Sequence, residues 1–167
     1  MAEPRWLNED EQQVWRAFID SMRLLISQLE RDLQRDSGLP HAYFEILVTL
    51  SEAPDRTMRM SELAELALTS RSRLSHAAAR LEEAGWVERH SCPTDKRGSF
   101  AHLTDEGFAV LEAAARRHVE SVRRNVFDVL DPEQVQRLGE ISTVLRDNLQ
   151  AQKPPADEES VVQFGAL

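Results

Sequence analysis

Near the start of the chain apolar residues recur every three or four positions: Trp15, Phe18, Met22, Leu25, Leu29 and Leu33. That period is one face of an α-helix. Asn8 stands three residues before Glu11, the spacing of a capping box, and Glu9, Asp10 and Glu11 suit the positive end of a helix dipole. Gly38 and Pro40 stop the pattern. At about 1.5 Å per residue the helix spans about 40 Å, more than one small core covers. A second helix is predicted from His41 to about Glu52, with Tyr43, Phe44, Leu47 and Leu50 inward and Pro54 as terminator.

The middle of the chain changes rhythm. Thr57 to Met60 reads as a short extended piece, after which Ser61 is expected to cap a brief helix, Glu62 to Leu68, burying Leu63, Ala64 and Ala67. Thr69 and Ser70 form the turn. The next helix, about Arg71 to Ala84, turns Leu74, Ala77, Ala78 and Leu81 to one side, with Gly85 at its C-terminal cap. Two short helices with a tight turn make a helix-turn-helix. Trp86 to Ser91 alternates as a strand, and Phe100 to Leu103 pairs back onto it. Between them, residues 92 to 98 hold Pro93, Asp95 and Gly98, which favour a turn, and Lys96 and Arg97, which charge its tip. The hairpin reads as a wing.

Thr104 is expected to cap a fifth helix with the stripe Phe108, Leu111, Ala115, Val119, Val122, Val126 and Val129. Asp131-Pro132-Glu133-Gln134 starts a sixth, combining a cap, a first-turn proline and a capping-box glutamine; its inner face is Val135, Leu138, Ile141, Leu145 and Leu149. The predicted fold is therefore mainly α with a small β-hairpin wing, in one domain over 8–151. Helices 8–36 and 105–151 form a dimerisation region, 41–104 the winged lobe, and 152–167 a flexible acidic tail.

Composition bears on function through distribution. The 167 residues carry a formal charge of −9, with 41% hydrophobic and 6% aromatic residues. Residues 69–102 alone hold six cations against four anions, for +2, and the rest sums to −11. An acidic body with one basic segment steers that segment toward a polyanion. No apolar run is long enough to span a membrane and the first residues do not form a secretion signal, so a cytoplasmic protein is expected. The single cysteine, Cys92, excludes an intrachain disulfide and a cysteine-cluster zinc site, and no cofactor or metal is expected.

In a helix-turn-helix the second helix lays its N-terminal side chains against base edges in the major groove. Since Leu74, Ala77, Ala78 and Leu81 face inward, Ser70, Arg71, Ser72, Arg73, Ser75, His76 and Arg80 face out. Arginine bonds guanine bidentately, serine bonds bases or phosphates, and a helix N-terminus attracts phosphate. Arg97, held by Asp95 and beside Lys96, is placed to reach the adjacent minor groove.

With these elements in this order, residues 8–150 resemble the MarR (multiple antibiotic resistance regulator) family. Met60-Ser61-Glu62-Leu63-Ala64 is similar to its helix before the turn, and Arg80-Leu81-Glu82-Glu83-Ala84-Gly85-Trp86-Val87-Glu88-Arg89 to its recognition-helix exit and first wing strand. Asp95-Lys96-Arg97 followed by Leu103-Thr104-Asp105-Glu106-Gly107 resembles its wing and return. The resemblance implies a homodimer on a palindromic double-stranded DNA operator, repressing transcription until a small aromatic or anionic effector binds between the dimer helices and the winged lobe. Trp15, Phe18, Arg23, His41, Tyr43 and His118 are the effector-contact candidates there.

Two other readings use the same residues. A winged helix can serve protein contact alone, with its basic face idle, or Cys92 can make the regulator redox-responsive. An enzyme is not expected: Ser75 and His76 are adjacent and so diverge on a helix, no His/Asp/Cys spacing fits a metal, and no glycine-rich phosphate loop appears.

Overall fold

The computed structural model describes residues 4–67, 69–91 and 99–152. Six helices are described: α1 (Glu9–Ser37), α2 (His41–Glu52), α3 (Met60–Leu66), α4 (Arg71–Glu83), α5 (Asp105–Asn125) and α6 (Pro132–Ala151). Three strands, β1 (Thr57–Arg59), β2 (Val87–Ser91) and β3 (Ser99–Leu103), form an antiparallel sheet in the order β1-β3-β2. The chain divides into two units, Met1–Asn125 and Val126–Leu167.

Local signals set the helix ends of the first unit. The Asn8 side chain accepts from the Glu11 amide at 2.8 Å while Glu11 accepts from the Asn8 amide at 2.9 Å, a complete capping box. Gly38 closes α1 at φ +67. α4 ends in a Schellman turn: the Trp86 amide donates to the Leu81 carbonyl and the Gly85 amide to that of Glu82, with Gly85 at φ +77. Thr104 joins the wing to α5, its hydroxyl donating to the Gly85 carbonyl at 2.8 Å and accepting from the Gly107 amide at 3.0 Å.

The core sits where α2, α3, α4 and β3 meet, with Leu47, Leu50, Leu63, Leu81, Ala101 and Leu103 sealed from water. β3 is the central strand because its alternate residues Ala101 and Leu103 point into that core, opposite Arg89 and Val87 of β2. β1 pairs on its other side, Met58 facing Ala101.

Several expectations are corrected. Ser61 lies inside α3, whose N-cap is Arg59 without a side-chain hydrogen bond, and α3 ends at Leu66. The extended piece expected at Thr57 to Met60 is present over Thr57–Arg59, as a strand that completes the sheet, while Met60 belongs to α3. α5 stops at Asn125, whose side chain donates back to the Ser121 carbonyl at 2.8 Å. Val126 therefore falls outside α5, and Val129 lies on a separate 3-10 turn, Phe127–Val129. On α1, Trp15, Phe18 and Met22 are exposed, and only its C-terminal part reaches the core, at Leu33.

In the second unit, α6 has the predicted start, with Asp131 and Gln134 in a reciprocal capping box and Pro132 in the first turn. It buries no residue; Leu138, Ile141, Leu145 and Leu149 are all exposed and Val135 is half-buried. Among the described residues no helix is long and apolar enough to cross a membrane.

Candidate nucleic-acid interface

The helix-turn-helix pair gives α4 a buried and an open side. Leu74, Ala78 and Leu81 are buried and Ala77 is packed against the core. Residues 70–73, 75, 76 and 80 are exposed. The Ser70 hydroxyl accepts from the Arg73 amide at 3.3 Å, capping α4 at the positive end of its dipole. Arg80 is tied to Glu83 at 2.8 Å. Arg71 and Arg73 form no ion pair with a described residue, so their guanidinium groups stand open beside that helix start. The arrangement combines bidentate donors, hydroxyls and a positive helix end on one exposed helix face, the chemistry that suits phosphates and purine edges.

The wing is anchored to this helix by a pair that the sequence reading did not single out. Arg89 on β2 donates through Nε to the Glu82 carboxylate near the end of α4, at 2.7 Å. That hydrogen bond holds the Glu82 carboxyl below its ordinary pKa range against the opposing effect of burial. Arg89 is thus neutralised within the lobe rather than offered outward. On the opposite side of the sheet Arg59 lies over the Phe100 ring at 4.9 Å, and Arg56 lies 3.9 Å over Phe108 while bonding Asp105 at 2.9 Å. Asp95, Lys96, Arg97 and Cys92 lie outside the described residues, as does the tail over 153–167.

The effector candidates separate. His41 and His118 come together, ring centroids 6.2 Å apart, with Phe44 4.7 Å from His118. They line a cavity of about 460 Å³ between α2, α3 and α5, completed by Glu45, Val48, Thr49, Leu66 and Ala67. Nδ1 of His118 is sealed from solvent without a hydrogen-bond partner, and burial, followed by the charge of His41, pushes its imidazole below the ordinary pKa. Tyr43 instead packs against the core. Trp15 and Phe18 stack on each other at 6.3 Å on the exposed part of α1, and neither they nor Arg23 line this cavity. Among the described residues no group of three or more His, Cys, Asp or Glu is placed to hold a metal ion.

A buried charge ties α1 to α5. Asp32, 2% exposed, accepts from the Ser121 hydroxyl at 2.5 Å, Arg124 at 2.9 Å, Arg35 at 2.8 Å and Gln28 at 2.8 Å. The Ser121 hydrogen bond, opposed by burial and reinforced by Arg35 and Arg124, brings its pKa from 3.8 to about 2.

The sequence model of the MarR family matches residues 37–98. Over 91 residues the chain is 36% identical to the HTH-type transcriptional regulator PecS of Dickeya dadantii, covering 53% of this chain and 52% of that protein. It is 31% identical over 74 residues to the transcriptional repressor MprA of Escherichia coli, covering 44% and 42%. The chain thus spans about half the length of the curated relatives it matches. Among solved structures, a MarR family transcriptional regulator from Streptomyces coelicolor in complex with DNA is 56% identical, with a TM-score of 0.83 over 89% of this chain and 92% of that one. AbsC, another MarR family regulator of that organism, is 44% identical with a TM-score of 0.81, covering 89% and 100%.

Proposed function

The chain belongs to the MarR family, and from that premise we propose that it is a sequence-specific DNA-binding regulator of transcription. It works as a cytoplasmic homodimer, without catalysis, on a palindromic operator whose occupation represses the adjacent genes. The observation that carries this reading is the open face of α4, where Arg71 and Arg73 stand free of described carboxylates beside a capped helix start. Ser70, Ser72, Ser75, His76 and Arg80 extend that face, and Lys96 and Arg97, supported by Asp95, extend it into the wing.

The single-domain division follows from the same reading. The winged lobe over 41–104 holds DNA, while helices within 8–36 and 105–151 join two chains. Support comes from the large apolar side chains left in water: Val14 (69% exposed) and Trp15 (54%) on α1, and Ile141 (57%) and Val144 (69%) on α6. Such faces call for a partner, and a twofold copy supplies one. Two recognition helices about 34 Å apart then meet successive major grooves of one duplex face.

A salt titration with Arg73→Ala tests the proposal. Wild-type affinity for operator DNA falls steeply as salt rises, because bound arginines displace counterions, and Arg73→Ala costs about 1–3 kcal/mol per contact. Binding that ignores salt, or full-strength binding by the variant, would assign α4 to another role.

The cavity of His41, Phe44 and His118 supports a second element of the reading, control by a small molecule. Its floor includes Leu66 and Ala67 at the end of α3, a few residues before the Ser70 cap of α4. An occupant that favours one position of α3 therefore biases where α4 points.

A further inference from the structure

We infer that the cavity between α2, α3 and α5 takes an uncharged or cationic aromatic molecule carrying N–H donors, and not an aromatic anion. This inference rests on the reading of that cavity as an effector site and names the class of its ligand.

Among the described residues the lining holds no arginine or lysine. Its ionisable groups are His41 and Glu45 from α2 and His118 from α5, while Leu66 and Ala67 from α3 bring none. His118 keeps one ring nitrogen away from both water and any partner, so a charge on that ring is poorly solvated and the neutral imidazole is favoured. His41 Nδ1 lies 3.6 Å from the Glu45 carboxylate, so the pair brings no net positive charge to the cavity. An entering carboxylate therefore meets the Glu45 carboxylate and, among the described residues, no arginine or lysine.

Two polar groups of the described wall have a fixed role. The Thr49 hydroxyl donates to the Glu45 carbonyl at 2.8 Å, which leaves its oxygen as an acceptor, and the Glu45 carboxylate accepts only. The two imidazoles donate or accept according to tautomer and so suit either partner, and the groups of fixed role favour a ligand that brings N–H donors. Phe44 and the two imidazole rings offer flat faces, and the volume of about 460 Å³ holds one or two rings. Amides, amidines and amino-heteroaromatics meet all of these conditions.

Benzamidine, benzamide and benzoate share one ring and one planar substituent while carrying charges of about +1, 0 and −1 at neutral pH. Calorimetric titration of the full-length protein with each, repeated with Glu45→Gln and His118→Phe, tests the inference. Benzamidine and benzamide are expected to bind at least about tenfold more tightly than benzoate. Glu45→Gln, at an exposed position, should narrow the gap between benzamidine and benzamide, and His118→Phe should weaken both. Benzoate binding as tightly as benzamide, no binding by either nitrogen compound up to about 10 mM, or binding indifferent to both substitutions would overturn the inference. Effector action is read separately: nitrogen compounds that bind as described but leave DNA affinity unchanged would remove the effector reading while leaving the ligand class intact.

Discussion

Asp32→Asn isolates the charge that joins α1 to α5. In the native protein the buried carboxylate accepts four side-chain hydrogen bonds, two of them from helix α5 at Ser121 and Arg124. Its pKa falls from 3.8 to about 2, and at about 1.4 kcal/mol per pH unit this corresponds to at most roughly 2.5 kcal/mol. Arg35 and Arg124 are 60% and 59% exposed, so water screens part of that interaction. A loss of about 1.5–2 kcal/mol at neutral pH is therefore expected for Asp32→Asn. The pH dependence fixes the cause. A carboxylate whose folded pKa is depressed stabilises fully above its unfolded pKa and loses that contribution as pH falls through the folded one. The gap between wild type and variant should hold from neutral pH down to about 5, shrink between about 4 and 2, and then close. Urea unfolding followed by circular dichroism at fixed protein concentration measures it, the concentration being held because a dimer's stability depends on it. A variant within about 0.5 kcal/mol of wild type at neutral pH, or a gap that does not shrink in acid, would refute the assignment.

Gly107→Ala probes the joint between the wing and α5. A Cβ there would lie 2.1 Å from the Trp86 carbonyl oxygen and 2.8 Å from the Leu103 side chain. Since backbone must move, a loss of about 2–3 kcal/mol is expected in the same unfolding assay, and an unchanged midpoint would contradict the close approach. Ile141→Asp places a charge on the exposed apolar face of α6. Sedimentation should find it shifted toward monomer, with operator affinity lost in parallel, whereas an unaltered dimer would show that this face lies outside the interface.

Much of the fold could be read locally because its determinants are local. The capping boxes at Asn8–Glu11 and Asp131–Gln134, the left-handed Gly85 and the inward set Leu74, Ala78 and Leu81 each span a few residues. What escaped depends on distant partners. Asp32 sits beside Leu33 on a helix and looks like a surface acid until Ser121 and Arg124, 89 and 92 positions away, are brought against it. β1 reads as extended from its own residues, but its pairing with β3, more than forty positions on, does not. The run Val119, Val122, Val126, Val129 keeps helical period past the end of α5, where the Asn125 side chain has already turned back to the Ser121 carbonyl. Of the effector candidates, His41 and His118 meet because α2 packs on α5. Trp15 and Phe18 carry the same aromatic signal but sit on the open part of α1. Glu82 and Arg89 are only seven residues apart, yet a helix end and a strand separate them, so the pairing shows only in three dimensions.

Selection of bound duplexes from a randomised DNA pool tests the central claim most directly, because it reads the symmetry and the sequence preference of the complex together. Two α4 helices in a twofold dimer should enrich an inverted repeat with half-site centres about 10 base pairs apart, and Arg73→Ala should relax it at matching positions in both halves. A pool that shows no enriched motif after repeated rounds, or one whose motif lacks twofold symmetry, would contradict it.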